Sequence, residues 1–186
     1  YDSVAKGQSM ADKKVLIIGD SISTDAYGKY KKWVTDLIEA GFFTSSKVTN
    51  NSYHATGFVR TYDENGSVVY DTFLNRLKKV SDTDFDLVIT FGGINDYIGG
   101  IAWGTFTAAV DAYFEYLTKT FVSARNVVLL PLRTYNIYKN TAGHYQPMRL
   151  LLDAEGMLSG RLPSLKADVL LLRLSSKRVP DFRLPC

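Results

Sequence analysis

The sequence predicts a single α/β domain in which a parallel sheet is covered by helices on both faces. Three observations carry this: short runs of branched apolar residues, amphipathic stretches at helical spacing between them, and regular alternation of the two. With 186 residues, 46% of them apolar, the chain is long enough for one sizeable core and short for two.

The elements follow in order. After a polar leader at 1–12, Val15-Leu16-Ile17-Ile18 is too brief for a helix and reads as a strand buried on both faces. It runs straight into Gly19-Asp20-Ser21. Tyr27, Tyr30, Trp33, Val34, Leu37 and Ile38 then recur at helical spacing, and Gly41 supplies a stop signal. The pattern repeats as strand 47–53, helix 70–80, strand 86–91, helix 105–121 and strand 126–132. Between the second strand and its helix, Asp63-Glu64-Asn65-Gly66-Ser67 lies between Val59, Tyr62, Val68 and Val69, the pattern of a small surface hairpin. Parallel strands joined this way need right-handed crossovers. In such sheets the ligand sits beyond the carboxyl ends of the strands.

Charge and cysteine usage narrow the function classes. The chain has 22 Lys and Arg against 19 Asp and Glu, a net +3 with no basic stripe, which argues against a nucleic-acid partner. One cysteine, Cys186, provides neither an internal disulfide framework nor a zinc-ligand cluster. No apolar run reaches the roughly 18 residues of a spanning helix, and the polar stretch 1–14 lacks the apolar centre of a signal peptide. No membrane span is expected, and compartment and oligomeric state stay open.

Composition changes near His144. Residues 1–144 hold 15 Thr, 9 Ile and 8 Asn, whereas 145–186 hold none of the three, where even usage would give about nine. Lys outnumbers Arg 11 to 4 before the break and Arg outnumbers Lys 5 to 2 after it. Two readings fit: a Leu-rich closing helix at 148–162 and strand at 167–174, or a tail outside the original coding frame.

The chemistry centres on strand ends. Gly19-Asp20-Ser21-Ile22-Ser23 follows a buried strand and precedes a helix, which places the Ser21 hydroxyl and N–H at the mouth of the sheet. A serine there serves as a nucleophile, as a phosphate-loop ligand or as a helix cap. Ala55-Thr56-Gly57-Phe58 lies past the second strand, where a glycine allows close backbone approach and an exposed N–H. Past the third strand, Gly92-Gly93-Ile94-Asn95-Asp96 allows Asn95 to aim its amide at the same point. A hydroxyl with several convergent donors is the layout of a nucleophile beside an oxyanion hole.

Through GDS at 19–21, Gly57 and GGIND at 92–96, the chain resembles the SGNH hydrolases, the GDSL-type esterases and lipases, over roughly residues 13–141. The resemblance implies a flavodoxin-like three-layer α/β/α sandwich. It also implies attack by Ser21 on an ester carbonyl, with the Ser21 N–H, the Gly57 N–H and the Asn95 amide holding the oxyanion. The family's fourth block, an Asp-x-x-His pattern near the C-terminus, is absent. Only His54 and His144 remain as candidate bases. His144, twelve residues past the fourth strand, can reach the same rim; His54 has either a base role or a packing role at its strand end.

Further candidates surround these. Asp20 is counted with the substrate-site residues, its carboxylate expected to fix the loop by accepting backbone N–H bonds, and Asp96 reads as a similar brace. Tyr97 and Trp103 flank Gly99-Gly100 and form either a movable pocket wall or a cap onto the next helix, while Tyr135 lines the other side. The leading expectation is a serine esterase for small acyl esters, carbohydrate acetyl esters or lipids, without metal or organic cofactor. A non-catalytic carbohydrate or lipid binder on the same fold is the alternative. A phosphate or nucleotide binder is disfavoured, because 19–23 holds no Lys or Arg and no GxxxxGK[ST] pattern.

Overall fold

A computed structural model describes residues 10–24, 32–61, 65–68 and 70–129. The expected elements at 148–162 and 167–174, the end of the fourth strand, Tyr135 and His144 lie outside these residues, as do parts of the expected first helix and hairpin.

Four strands form one sheet: β1 (Val15–Gly19), β2 (Val48–Ser52), β3 (Leu87–Phe91) and β4 (Arg125–Leu129), in the order β2-β1-β3-β4 and all parallel. The helices are α1 (Trp33–Glu39), α2 (Phe73–Lys78), α3 (Ile94–Ile98) and α4 (Trp103–Thr120). The α/β expectation is met, and the alternation of side chains along β1 explains the layers. Val15 and Ile17 join Val34 of α1 with Leu87 and Ile89 of β3 on one face. Leu16 and Ile18 join Phe73 and Leu77 of α2 and Val110, Tyr113 and Phe114 of α4 on the other. A strand buried on both faces is mostly apolar, which is why β1 and β3 read as apolar runs, β3 interrupted only by Thr90, whose hydroxyl has a partner in Tyr113.

The connections leave β1 toward β2 and return past it to β3, so the loops after β1 and β3 diverge from neighbouring strands at a topological switch point. Gly19 pairs in register with Ser52 on one side and Phe91 on the other, so all three strands end at one level. The residues after them, Asp20-Ser21, Tyr53 to Gly57 and Gly92 to Asp96, therefore share one rim.

Several boundaries move for local reasons. The helix expected over 70–80 begins at Phe73, because the Thr72 side chain caps it by accepting from the Asn75 N–H at 3.2 Å. Tyr70, outside the helix, instead stacks on Tyr53, with ring centroids 4.0 Å apart. The helix expected from 105 starts at Trp103. Helix α3 was not anticipated; it starts after Gly93, whose φ of 107° is open to glycine and strained for other residues.

The α2/α4 face is rich in rings. Phe58 meets Phe73, Tyr113 and Phe106 with centroids 4.9, 5.4 and 5.7 Å apart, which locks the loop bearing Gly57 onto the core. Tyr113 is fully buried and bonds Thr90 at 2.7 Å, and burial pushes its phenol pKa upward. Removing that hydroxyl leaves Thr90 without this partner, so Tyr113→Phe is expected to lower stability by about 1–2 kcal/mol. The measurement is a urea midpoint shift at unchanged m-value; no shift would mean that Thr90 finds another partner.

Candidate active site

Ser21 lies in the turn that follows β1, where the Ser23 N–H donates to the Asp20 carbonyl at 3.1 Å. The start of the helix expected after it falls at 25–31, outside the described residues; its described part is α1, from Trp33. The Ser21 side chain is half-buried and makes no hydrogen bond among the described residues. Its neighbours hold the turn. Ser23 is buried, accepts from the Trp33 indole N–H at 3.1 Å through Oγ and from the Asn50 amide at 2.8 Å through its carbonyl.

Asp20 is fully buried. Its Oδ1 accepts the Ile22 N–H at 2.9 Å, the loop-fixing role expected of the carboxylate. Among the described residues its Oδ2 has no hydrogen-bond partner. Burial raises its pKa from 3.8 to about 6; the Ile22 N–H and the charge of Arg76 oppose the rise, and the charge of Asp96 adds to it.

Asp96 is the second buried carboxylate and the better satisfied one. It accepts three successive N–H groups, from Phe58 and Val59 at 2.9 Å and Arg60 at 2.8 Å, a nest that surrounds an anion with donors. Burial raises its pKa while these bonds lower it. The carboxylate approaches Gly57 so closely that a Cβ there would lie 2.1 Å from Oδ2. That approach, rather than a free donor, is what requires glycine at 57. The Gly57 N–H donates to the Arg60 carbonyl at 2.9 Å, so the donor expected to face an oxyanion is satisfied within its own turn.

Asn95 lies in the first turn of α3 and is half-buried, and its amide donates to the Thr56 carbonyl at 2.9 Å. One amide hydrogen thus ties the third strand end to the second. Tyr97 is half-buried in the same helix. Trp103 stacks on Phe106 with centroids 5.8 Å apart and packs on the core, as a cap onto the helix would. His54 is half-buried and sets its ring edge against Tyr70 with centroids 6.0 Å apart.

Two residues of the rim carry roles that the sequence reading did not assign. The Arg76 guanidinium is buried beneath the loops, and the Thr56 hydroxyl, fully buried, donates to the Tyr53 carbonyl at 2.7 Å while accepting from Arg76 at 3.0 Å. The signal for Arg76 was present: it stands between Phe73 and Leu77 on the core-facing side of a helix, where an arginine needs a reason. Among the described residues no three His, Cys, Asp or Glu gather as a metal site, and no helix is long and apolar enough to cross a membrane.

No family model and no curated protein sequence matches the chain. Among solved structures, a protein from Bacteroides ovatus described as a GDSL-like lipase superposes with a TM-score of 0.60 at 16% identity, over 89% of this chain and 88% of its own. A carbohydrate esterase family 2 enzyme with a carbohydrate-binding domain from Corynascus thermopiles (Myceliophthora fergusii) gives 0.58 at 14% identity, over 86% of this chain and 56% of its own. TesA gives 0.53 at 20% identity, over 79% and 73%. What these share with the chain is the fold, and it is the three-layer α/β fold of the SGNH, or GDSL-type, hydrolases.

Burial raises the pKa of both carboxylates, but they differ in their partners: Asp20 accepts one backbone N–H and Asp96 three. Asp20 keeps its proton in the folded chain between pH 3.8 and about 6, where the unfolded chain has released it, so stability falls as pH rises through that window. A rise of this size corresponds to roughly 3 kcal/mol. Asp20→Asn should flatten the pH dependence of the urea midpoint between pH 4 and 6. Asp96→Asn, which turns a donor toward the N–H nest, should cost about 1–3 kcal/mol at pH 7. Identical pH profiles for wild type and Asp20→Asn would show that Asp20 is not held protonated.

Proposed function

We propose that the chain hydrolyses small acyl esters through an acyl-enzyme on Ser21. The observation that carries this reading is a half-buried serine hydroxyl without a hydrogen-bond partner among the described residues, at the end of the central strand of an SGNH-type sheet. In the reaction Ser21 Oγ attacks the ester carbonyl, its proton passes to a base, and the tetrahedral oxyanion collapses with loss of the alcohol. Water then releases the acid from Ser21 by the same sequence. The oxyanion donors assigned are the Ser21 N–H and the Asn95 amide hydrogen that Thr56 does not take. Gly57 serves by admitting the Asp96 carboxylate that shapes its loop. The proposed base is His144, because His54 has its ring against Tyr70.

Carbohydrate acetyl esters are the proposed substrate class. The name of the fungal neighbour, a carbohydrate esterase, and the half-exposed Tyr70 ring stacked on Tyr53 at the rim support it. A second reading rests on the missing Asp-x-x-His block: a protein that keeps the pocket and binds a carbohydrate or lipid without turnover.

Hydrolysis of p-nitrophenyl acetate between pH 5 and 9 tests this. The expected result is turnover that Ser21→Ala abolishes and that rises through about pH 6–7, with the base a histidine. His144→Ala should then lower the rate by about 10²- to 10⁴-fold. Equal inertness of the chain and of Ser21→Ala would remove the esterase reading and favour the binding one.

A further inference from the structure

Arg76 engages more of the rim than any side chain assigned to the chemistry. Its Nη2 donates to the Gly19 carbonyl and to Thr56 Oγ1, both at 3.0 Å, its Nη1 donates to the Asn51 carbonyl, and its Nε donates to the Asp71 carbonyl at 3.2 Å. Its guanidinium carbon lies over two rings, 5.0 Å from the Phe73 centroid and 5.3 Å from that of Tyr53. The residue is 4% exposed.

What these acceptors have in common is their position. Gly19 is the last residue of β1 and stands two before Ser21; Asn51 is the penultimate residue of β2; Thr56 immediately precedes Gly57. The Gly19 carbonyl also accepts the Tyr53 N–H at 3.2 Å, so strand pairing continues one step beyond β2 at the place where the guanidinium binds. A planar fork reaches these acceptors at once; an ammonium on a flexible stem is a point donor and cannot reproduce the arrangement or the stacking.

We infer that Arg76 is a positioning residue: its guanidinium holds the Thr56–Gly57 loop in register with the nucleophile turn, so that the Asn95 amide, tied to Thr56, is set opposite Ser21. This rests on the esterase reading for its catalytic consequence and not for its structural one, and the test separates the two. Buried hydrogen bonds to a charged group are strong enough that losing several should be felt locally and not only as global instability.

Hydrogen exchange by mass spectrometry on the full chain compares wild type with Arg76→Lys, Arg76→Met, Thr56→Val and, as a control for general destabilisation, Val110→Ala in α4. Exchange over 53–61 should rise by at least about tenfold in Arg76→Met and less in Thr56→Val, with β3 protection unchanged. Arg76→Lys should restore less than half of the lost protection. On p-nitrophenyl acetate, kcat should fall by at least about tenfold with KM within about twofold, since misaligned donors cost the transition state and not ground-state binding. Uniform loss of protection matching Val110→Ala, full rescue by lysine, or a change confined to KM would overturn the assignment. If wild type shows no Ser21-dependent turnover, the esterase reading fails, and the exchange pattern alone decides whether Arg76 holds the loop.

Discussion

The buried edge of the sheet has to satisfy backbone groups that strand pairing no longer reaches, and two opposite charges divide that task. Arg76, with donors only, collects carbonyls of Gly19, Asn51 and Asp71. Asp96, an acceptor when ionised, collects the N–H groups of Phe58, Val59 and Arg60. An unmade hydrogen bond at such a depth would cost about 1–3 kcal/mol. Neither residue substitutes for the other, because the geometry of each set follows from the direction in which the chain leaves the strand.

The loop of Tyr53 to Arg60 is where these constraints meet. Phe58 anchors it by ring packing, Asp96 by its N–H groups, Arg76 through Thr56 Oγ1, and Asn95 through the Thr56 carbonyl. A segment with four independent attachments is preorganised, the condition under which hydrogen-bond donors stabilise developing charge without reorganising. Asp20 sits differently. Its carboxylate is buried with one oxygen unpartnered among the described residues, and the same burial that lifts its pKa keeps the turn of Ser21 free of an added negative charge on the acidic side of pH 6.

The tail bears on the chemistry from the sequence side. A composition without Thr, Ile or Asn begins at the point after which no histidine follows, so both changes coincide in one place. The donor side of the proposed reaction belongs to residues that the first three strands position, whereas the base belongs to chain beyond the fourth. In that proposal nucleophile and oxyanion donors depend on the sheet, and proton transfer depends on a separate part of the chain.

The class of fold was legible in the sequence because a strand covered on both faces is mostly apolar, as in Val15 to Ile18 and Leu87 to Ile89, and because crossover helices announce themselves by their spacing. The three glycine-bearing blocks were legible because residues after strand ends share one rim in a parallel sheet. The bracing by Asp20 and Asp96 followed from short acidic side chains in tight loops. What each group does at the rim was decided by tertiary structure. Gly57 reads as a free donor in one dimension, yet its N–H closes a turn and its missing Cβ makes room for a carboxylate 39 residues away in sequence. Arg76 reads as one charge on a helix, yet it gathers acceptors from segments that only the pairing of β1 with β2 brings together. Periodicity reports which face of an element is buried; it carries no information about which distant backbone atoms wait there for a partner.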